Sequence, residues 1–118
     1  MKVRIRFYES NYHIQRGTQD HDIEVDGKLL DDTVLTNMLT YLDFTGDLPS
    51  KYMWIKFFLV LEENLTPIAV KRDPHDPVRI QPKSFRRALN KHRRLYGVTE
   101  GTTMETLAYL DRYEGNIP

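Results

Sequence analysis

Residues 2–8 read Lys2-Val3-Arg4-Ile5-Arg6-Phe7-Tyr8, and this short stretch decides the fold. Apolar side chains at positions 3, 5 and 7 alternate with the basic or aromatic side chains between them. An alternation with a period of two residues is typical of a strand that buries one of its two faces. The stretch therefore predicts a half-buried strand, with Lys2, Arg4, Arg6 and Tyr8 on the outward side.

The longest apolar run, residues 52–61, is either a strand or a fully buried helix. As a strand it has one wholly apolar side, and Lys56 shares the other side with aromatic rings. As a helix it would be apolar around its whole circumference. The strand explains Lys56 and the aromatic residues better, so a strand is predicted. We also expect a turn at 62–64 and a return strand over 65–71, with Pro67 at its start or on a sheet edge.

Weaker sequence patterns predict the structure of the segments between and around these strands. A turn is expected at 9–11, with the chain returning through Tyr12, His13 and Ile14. Ile23 and Val25 alternate with acidic residues, which predicts a short strand followed by a hairpin turn at Asp26-Gly27. The stretch 72–81 is punctuated by prolines and predicts a loop.

Three helices are predicted, near residues 32–44, 82–96 and 103–114. The first has Leu35, Met38, Leu39 and Leu42 on a period of 3.6, Asp31 or Asp32 as its cap, and Gly46 at its end. The second begins at Pro82 and ends at Gly97, and its inward positions are expected to be Phe85, Leu89, either His92 or Ala88, and Tyr96. The third opens with a capping box at 102–105, and its inner face is expected to contain Met104, Leu107, Ala108 and Leu110.

These elements predict an α+β domain covering 1–118, because 118 residues is the length of one ordinary domain. The sheet is expected to be mostly antiparallel with four to six strands, and the last two helices to form a C-terminal helical hairpin. The absence of cysteine excludes disulfides and thiolate chemistry. No stretch is apolar enough for a secretory signal or a membrane span, so a cytoplasmic location and no membrane partner are expected.

The formal net charge is zero, but the charges are segregated along the chain. Residues 20–47 contain eight acidic side chains and one lysine, whereas residues 71–95 contain nine basic and two acidic side chains. Such asymmetry suggests a charged partner such as DNA or RNA. The alternative is that the two segments neutralise each other within the fold.

The basic segment centres on the predicted helix 82–96, which contains six Lys or Arg residues. Basic side chains that neutralise phosphates release condensed counterions, and arginine pairs its hydrogen bonds with phosphate oxygens. We therefore expect a small non-enzymatic nucleic-acid-binding or regulatory protein that docks this helix on a phosphate backbone. The expected contacts are Arg79, Lys83, Arg86, Arg87, Lys91, Arg93 and Arg94. His92 is expected at the surface, and a homodimer would suit a duplex.

The stretch from Arg93 to Leu107 resembles a helix–turn–helix motif, because a basic helix ends at a glycine and small polar residues begin a second helix. The resemblance implies that the second helix would lie in the major groove. The stretch departs from the motif in having Arg93 where a small residue is usual and a longer turn with a second glycine. The second helix is also acidic, so an ordinary helical hairpin is favoured, with 82–96 as the contacting element.

The leading alternative is a protein-interaction module or inhibitor, of the accessory or virus-encoded type. It would bind a charged partner protein through the basic helix or through the acidic face within 20–47. The acidic residues expected at that interface are Asp20, Asp22, Glu24, Asp26, Asp31 and Asp32.

A second alternative is a metal-dependent nuclease, since Asp22, Glu24 and Asp26 with Lys28 would share one face of a strand. Their spacing matches no nuclease signature. The His-containing clusters at 20–22 and 73–76 are interpreted as exposed polar residues, because neither supplies three converging ligands. No cofactor, metal site or catalytic residue is expected.

Aromatic residues fall on the predicted strands, at Tyr8, Tyr12, Tyr52, Trp54 and Phe58. Such rings can stack on unpaired bases when a sheet presents them to solvent. With three helices and one sheet to cover, we expect most of them to belong to the core.

Overall fold

The computed structural model describes residues 1–11, 14–97 and 101–115. Five strands form one antiparallel sheet in the order β2-β1-β3-β4-β5. The strands are β1 (Lys2–Asn11), β2 (Ile14–Glu24), β3 (Tyr52–Leu61), β4 (Asn64–Lys71) and β5 (Arg79–Ile80). The helices are α1 (Asp32–Thr45), α2 (Pro82–Tyr96) and α3 (Gly101–Gly115). The predicted α+β class is confirmed, with the last two helices adjacent at the C-terminus.

The sheet has one covered face and one open face. Val3, Ile5 and Phe7 of β1 are fully buried, and each lies beside an apolar residue of β3. They belong to one core cluster together with residues from all three helices. All three helices therefore lie on the same side of the sheet, and the alternate residues of each strand form the other face.

Two strand predictions are wrong. The expected turn at 9–11 belongs to β1, where Glu9 lies opposite Gly17 and the hairpin continues beyond it. Of the predicted return segment, Tyr12 and His13 lie outside the described residues, whereas Ile14 begins β2 opposite Asn11. The hairpin turn at Asp26-Gly27 does not form either, since β2 ends at Glu24 and the chain leads directly to α1. Residues 14–24 contain too few apolar side chains for their alternation to be recognised.

The predicted strand at 52–61 is confirmed as β3, although its first residues differ from a regular alternation. The register with β1 shifts between Tyr8, which faces Trp54, and Glu9, which faces Tyr52. The extra residue in β3 is Met53, which is exposed instead of joining the apolar side. The bulge brings the Tyr52 ring edge-on to the core residue Phe7, 5.6 Å between ring centroids.

The loop expected at 72–81 is shorter than predicted, because Arg79 and Ile80 form β5 against β4. β4 is consequently not an edge strand. Pro67 still needs no sheet partner for its missing N–H, since β5 reaches only Ala69 and Val70.

The first two helices begin and end close to where the sequence predicts. The Asp31 side chain caps α1 by accepting a hydrogen bond from the backbone N–H of Val34, 2.9 Å. Gly46 ends α1 with a φ of 79°, a left-handed conformation that favours glycine. Pro82 occupies the first turn of α2, and Gly97 follows the last turn.

The inner face of α3 differs from the prediction. Met104 and Ala108 are exposed, while Thr102, Thr103 and Thr106 are fully buried. Two of these hydroxyls bind the chain that leads into α1: Thr102 Oγ1 donates to the carbonyl of Gly27, 2.5 Å, and Thr106 Oγ1 accepts from Leu30 N, 2.9 Å. The prediction is therefore wrong for Met104 and Ala108. It is confirmed for Leu110, which is fully buried in the core, and for Leu107, which packs against the core.

Candidate nucleic-acid interface

The outward face of α2 carries a line of cations. Lys83, Arg87, Asn90 and Arg94 are all exposed and recur at steps of four, three and four residues. With 3.6 residues per turn, this spacing places them on one line along the helix. α2 contains no acidic residue. Within the described part of the chain, none of these three cations is ion-paired. We call Lys83, Arg87 and Arg94 the α2 stripe.

Arg86 is the predicted contact that the fold uses internally. Its Nη1 donates to Asp111 Oδ1 at 2.7 Å, and its Nη2 donates to Glu114 Oε2 at 2.8 Å, both on α3. The hydrogen bond to Asp111, and to a smaller extent the one to Glu114, raises the pKa of the Arg86 guanidinium above its ordinary value. This residue therefore joins α2 to α3.

The remaining predicted cations border the stripe or lie elsewhere. Lys91 is half-buried on one flank of α2. Arg93 is half-buried on the other flank, and its Nε is buried without a hydrogen-bond partner among the described residues. Arg79 lies on β5 opposite Val70, on the open face of the sheet. The structure thus brings Lys83, Arg87, Lys91 and Arg94 together and separates Arg79 from them.

His92 and Ala88, the two alternatives for an inward position of α2, are both buried, so the expectation of His92 at the surface is wrong. The inward position expected for Tyr96 is also wrong, because that ring is 56% exposed. Only 5% of His92 is exposed, and its Nδ1 lies 3.1 Å from Thr103 Oγ1. The ring also packs against Tyr96, 4.8 Å between centroids. His92 occupies a core position of α2, next to Leu89 on the helix surface that meets α3.

Asp20 and Asp22 of the acidic segment pair with arginines of β1 and not with α2. Arg4 binds Asp22 through two hydrogen bonds of 2.7 and 3.0 Å, and Arg6 binds Asp20 through two of 2.8 and 2.9 Å. The arginine hydrogen bonds hold the pKa of both carboxyl groups below the usual range. No ion pair joins 20–47 to α2 within the described residues.

The other acidic residues have separate environments. Glu24 and Asp26 lie 3.1 and 3.8 Å from the α-ammonium group of Met1. Asp31 is occupied as the α1 cap, and Asp32 is exposed in the first turn of the same helix. Asp26 lies beyond the end of β2, so the carboxylates considered for a nuclease do not share one strand.

The two clusters that contain histidine lie in different elements, and His21 of the first is half-buried instead of exposed. On β2, Asp20 and Asp22 lie opposite Arg6 and Arg4, while His21 between them faces Ile5 on the covered side. In the 73–76 loop, Asp73 Oδ1 accepts hydrogen bonds from the backbone N–H groups of His75 and Asp76. The described residues contain no group of three or more His, Asp or Glu side chains that could hold a metal ion.

The predicted aromatic residues are divided between the two faces of the sheet. Tyr52 packs against Phe7 on the covered side. Tyr8, Trp54 and Phe58 lie on the open side, which corrects the expectation that most belong to the core. Tyr8 and Trp54 are half-buried, and Phe58 is buried beneath Arg6, whose guanidinium carbon lies 5.5 Å from the ring centroid. Tyr12 lies outside the described residues.

Two exposed aromatic residues on α1 are not among the predicted site residues. Phe44 is 89% exposed and Tyr41 is 60% exposed. Their positions opposite Leu35, Leu39 and Leu42 on the helical period were a signal that these rings would face outward. Exposed aromatic side chains are enriched at protein interfaces.

Comparison of the chain with protein-family models, with curated proteins and with solved structures found no match. None of the helices within the described residues is long and apolar enough to cross a membrane.

Proposed function

We propose that this protein binds nucleic acid through the α2 stripe. The observation that carries the proposal is the exposure of Lys83, Arg87 and Arg94 on one line, without carboxylate partners among the described residues. Arg86 and its acidic partners hold α2 against α3, so the stripe is presented on a supported helix.

The dimensions of the stripe suit a phosphate backbone. From Lys83 to Arg94 the helix rises about 16 Å at roughly 1.5 Å per residue. A duplex carries about one negative charge per 1.7 Å of its axis, so several phosphates lie within reach of a surface of that length. Lys91 on the flank adds a fourth cation. Contacts to the backbone alone carry no sequence information, so we expect binding of duplexes with little sequence preference.

Binding of a labelled duplex over a series of salt concentrations tests the proposal. Neutralising about four phosphates predicts a slope of about −3 to −4 for log affinity against log salt. Arg87→Glu with Arg94→Glu is expected to abolish binding. Lys28→Glu with Arg72→Glu is the matched control, because it changes net charge equally at exposed residues outside α2. Absence of binding at low salt, or equal losses in both double variants, would contradict the proposal.

A second candidate function is recognition of a partner protein through α1, which lies inside the acidic segment. The observation that favours it is the exposed pair Tyr41 and Phe44, bordered by the exposed carboxylates of Asp43 and Asp47. By charge complementarity, the partner segment would have apolar residues flanked by Lys or Arg. Binding of such a partner should weaken with salt and with Phe44→Ser, and should survive Arg87→Glu with Arg94→Glu. If the partner binds Phe44→Ser as tightly as the wild type, this surface of α1 is not the interface.

A further inference from the structure

The open face of the sheet carries a second arrangement of aromatic and basic residues. Its side chains form rows across the strands. One row pairs Tyr8 with Trp54, and the next runs Arg6, Lys56, Val70, Arg79. The helices all contribute to the core on the other side, so no described helix covers these rows. We call Tyr8, Trp54 and Lys56 the aromatic platform.

The platform is held by contacts among its own members. The rings of Tyr8 and Trp54 have centroids 5.1 Å apart with an angle of 60° between their planes. The Lys56 ammonium lies 4.7 Å from the Trp54 centroid and 5.5 Å from the Tyr8 centroid. A cation above aromatic faces is attracted by their quadrupoles, which holds Lys56 beside both rings.

Lys56 differs from the neighbouring arginines of β1 because no carboxylate among the described residues neutralises it. Arg4 and Arg6 each bind a carboxylate of β2 through two hydrogen bonds. Lys56 has no carboxylate partner within the part of the chain that the structure describes, and neither does Arg79. Two strand spacings, about 10 Å, separate Lys56 from Arg79 across the sheet. The row beside the rings therefore offers two uncompensated positive charges.

We propose that the aromatic platform binds unpaired bases of a single-stranded nucleic acid. A base has a flat π-face that stacks on tyrosine and tryptophan. The backbone phosphates of the same strand meet the positive charges of Lys56 and Arg79. Bases within a duplex are already stacked on each other and are not available to these rings. The platform thus selects single strands, whereas the α2 stripe on the other side of the sheet contacts phosphates only.

This inference does not depend on the proposed function of α2. The stripe lies on a helix that packs on the covered face, and the platform lies on the open face. A single-stranded ligand is expected to contact Trp54 even when α2 no longer binds phosphate. The two proposals consequently fail in different experiments.

Trp54 makes the test direct because it is the single tryptophan of the chain. The full chain is titrated at low salt with an oligothymidylate of about ten nucleotides, a length within the range that single-strand sites cover. Stacking of a base on the indole is expected to quench its emission. Arg87→Glu with Arg94→Glu should leave this quenching unchanged, and a blunt duplex should produce none.

Variants of the neighbours keep Trp54 as the reporter. Tyr8→Ala is expected to lower the affinity for the oligothymidylate about tenfold, and Tyr8→Phe, which retains the ring, should preserve it. Lys56→Gln with Arg79→Gln should reduce the salt slope by about 1.4, the contribution of two single-strand phosphates. The double variant Lys56→Gln with Arg79→Gln tests the proposal even if Tyr8→Ala does not fold.

Three results would overturn the proposal. The first is binding of the oligothymidylate, seen by anisotropy, without any change in Trp54 emission. The second is an absence of binding at low salt. The third is a change in Trp54 emission with rising protein concentration alone, which would assign the open face to a second copy of the chain.

Discussion

At the scale of single residues, the bidentate pairs between β1 and β2 decide which cations of the open face are available. Arg6 and Asp20 lie directly opposite each other, so a guanidinium and a carboxylate meet without distortion of either strand. Their charges cancel locally, and the same holds for Arg4 and Asp22. Lys56, one strand further, faces no acidic residue and keeps its charge.

The Arg6–Asp20 pair predicts a specific dependence of stability on pH. The hydrogen bond from Arg6 lowers the pKa of Asp20 in the folded state. The pair therefore stabilises the fold above the unfolded-state pKa of about 3.9, and this contribution is lost as pH falls through the lower folded-state pKa. Arg6→Gln should reduce the free energy of unfolding at neutral pH by about 0.2–1 kcal/mol.

Urea unfolding at several pH values measures this effect. The difference between the wild type and Arg6→Gln should shrink as the pH is lowered below about 4, where the unfolded chain takes up the proton. It should vanish below the folded-state pKa, where Asp20 is protonated in both proteins. Lys28→Gln is the control, since Lys28 is exposed and lies outside the pair. A difference that stays constant down to the lowest pH would show that Arg6 acts by packing on Phe58 and not through its charge.

At the scale of elements, α3 is attached to the rest of the fold by hydroxyl groups as well as apolar contacts. Buried threonines bond the backbone of Gly27 and Leu30, which precede α1. Arg86 adds a charged link from α2 to the last turns of α3. The position of α3 is therefore specified by hydrogen bonds to segments that are distant in sequence.

Thr106→Val tests this attachment. Valine has nearly the shape of threonine, but it leaves the buried N–H of Leu30 without an acceptor, so a loss of about 1–3 kcal/mol in the free energy of unfolding is expected. Thr106→Ser keeps the hydroxyl and should cost less. If both substitutions cost the same, the hydrogen bond to Leu30 contributes nothing beyond packing.

At the scale of the whole molecule, two basic surfaces of different character lie on opposite sides of the sheet. The α2 stripe has no exposed aromatic residue on its line, whereas the platform has two rings and a cation in contact. A substrate that combines a duplex with a single-stranded extension would engage both surfaces with different parts.

This arrangement predicts additive effects on such a substrate. Tyr8→Ala and Arg87→Glu share no contacts, so the losses in binding free energy of the single variants should sum in the double variant to within about 0.5 kcal/mol. Anisotropy with a tailed duplex measures all three proteins. A double variant no weaker than Arg87→Glu alone would mean that the two surfaces do not bind one ligand together.

The sequence by itself determined the elements whose periodicity is strong. β1 alternates over seven residues, α1 has four leucine or methionine side chains on one stripe, and α2 lies between Pro82 and Gly97. The exposure of Lys83, Arg87 and Arg94 also follows from spacing, because the buried positions of α2 fix the opposite line. These features depend on residues that are close in sequence, within one or two helical turns or a few strand residues. A local sequence pattern is therefore enough to predict them.

Only the tertiary structure decided which residues form ion pairs and hydrogen bonds with one another. Which cations are neutralised depends on the register between β1, β2 and β3, and that register joins residues far apart in the chain. The burial of Thr102 and Thr106 on α3 could not be predicted either, because their hydroxyl groups are satisfied by the backbone of Gly27 and Leu30, which are distant in sequence. His92 is buried for a related reason, since Thr103 of α3 lies against its ring nitrogen. Hydrogen bonds and ion pairs of this kind are absent from periodicity, which reports hydrophobic burial alone.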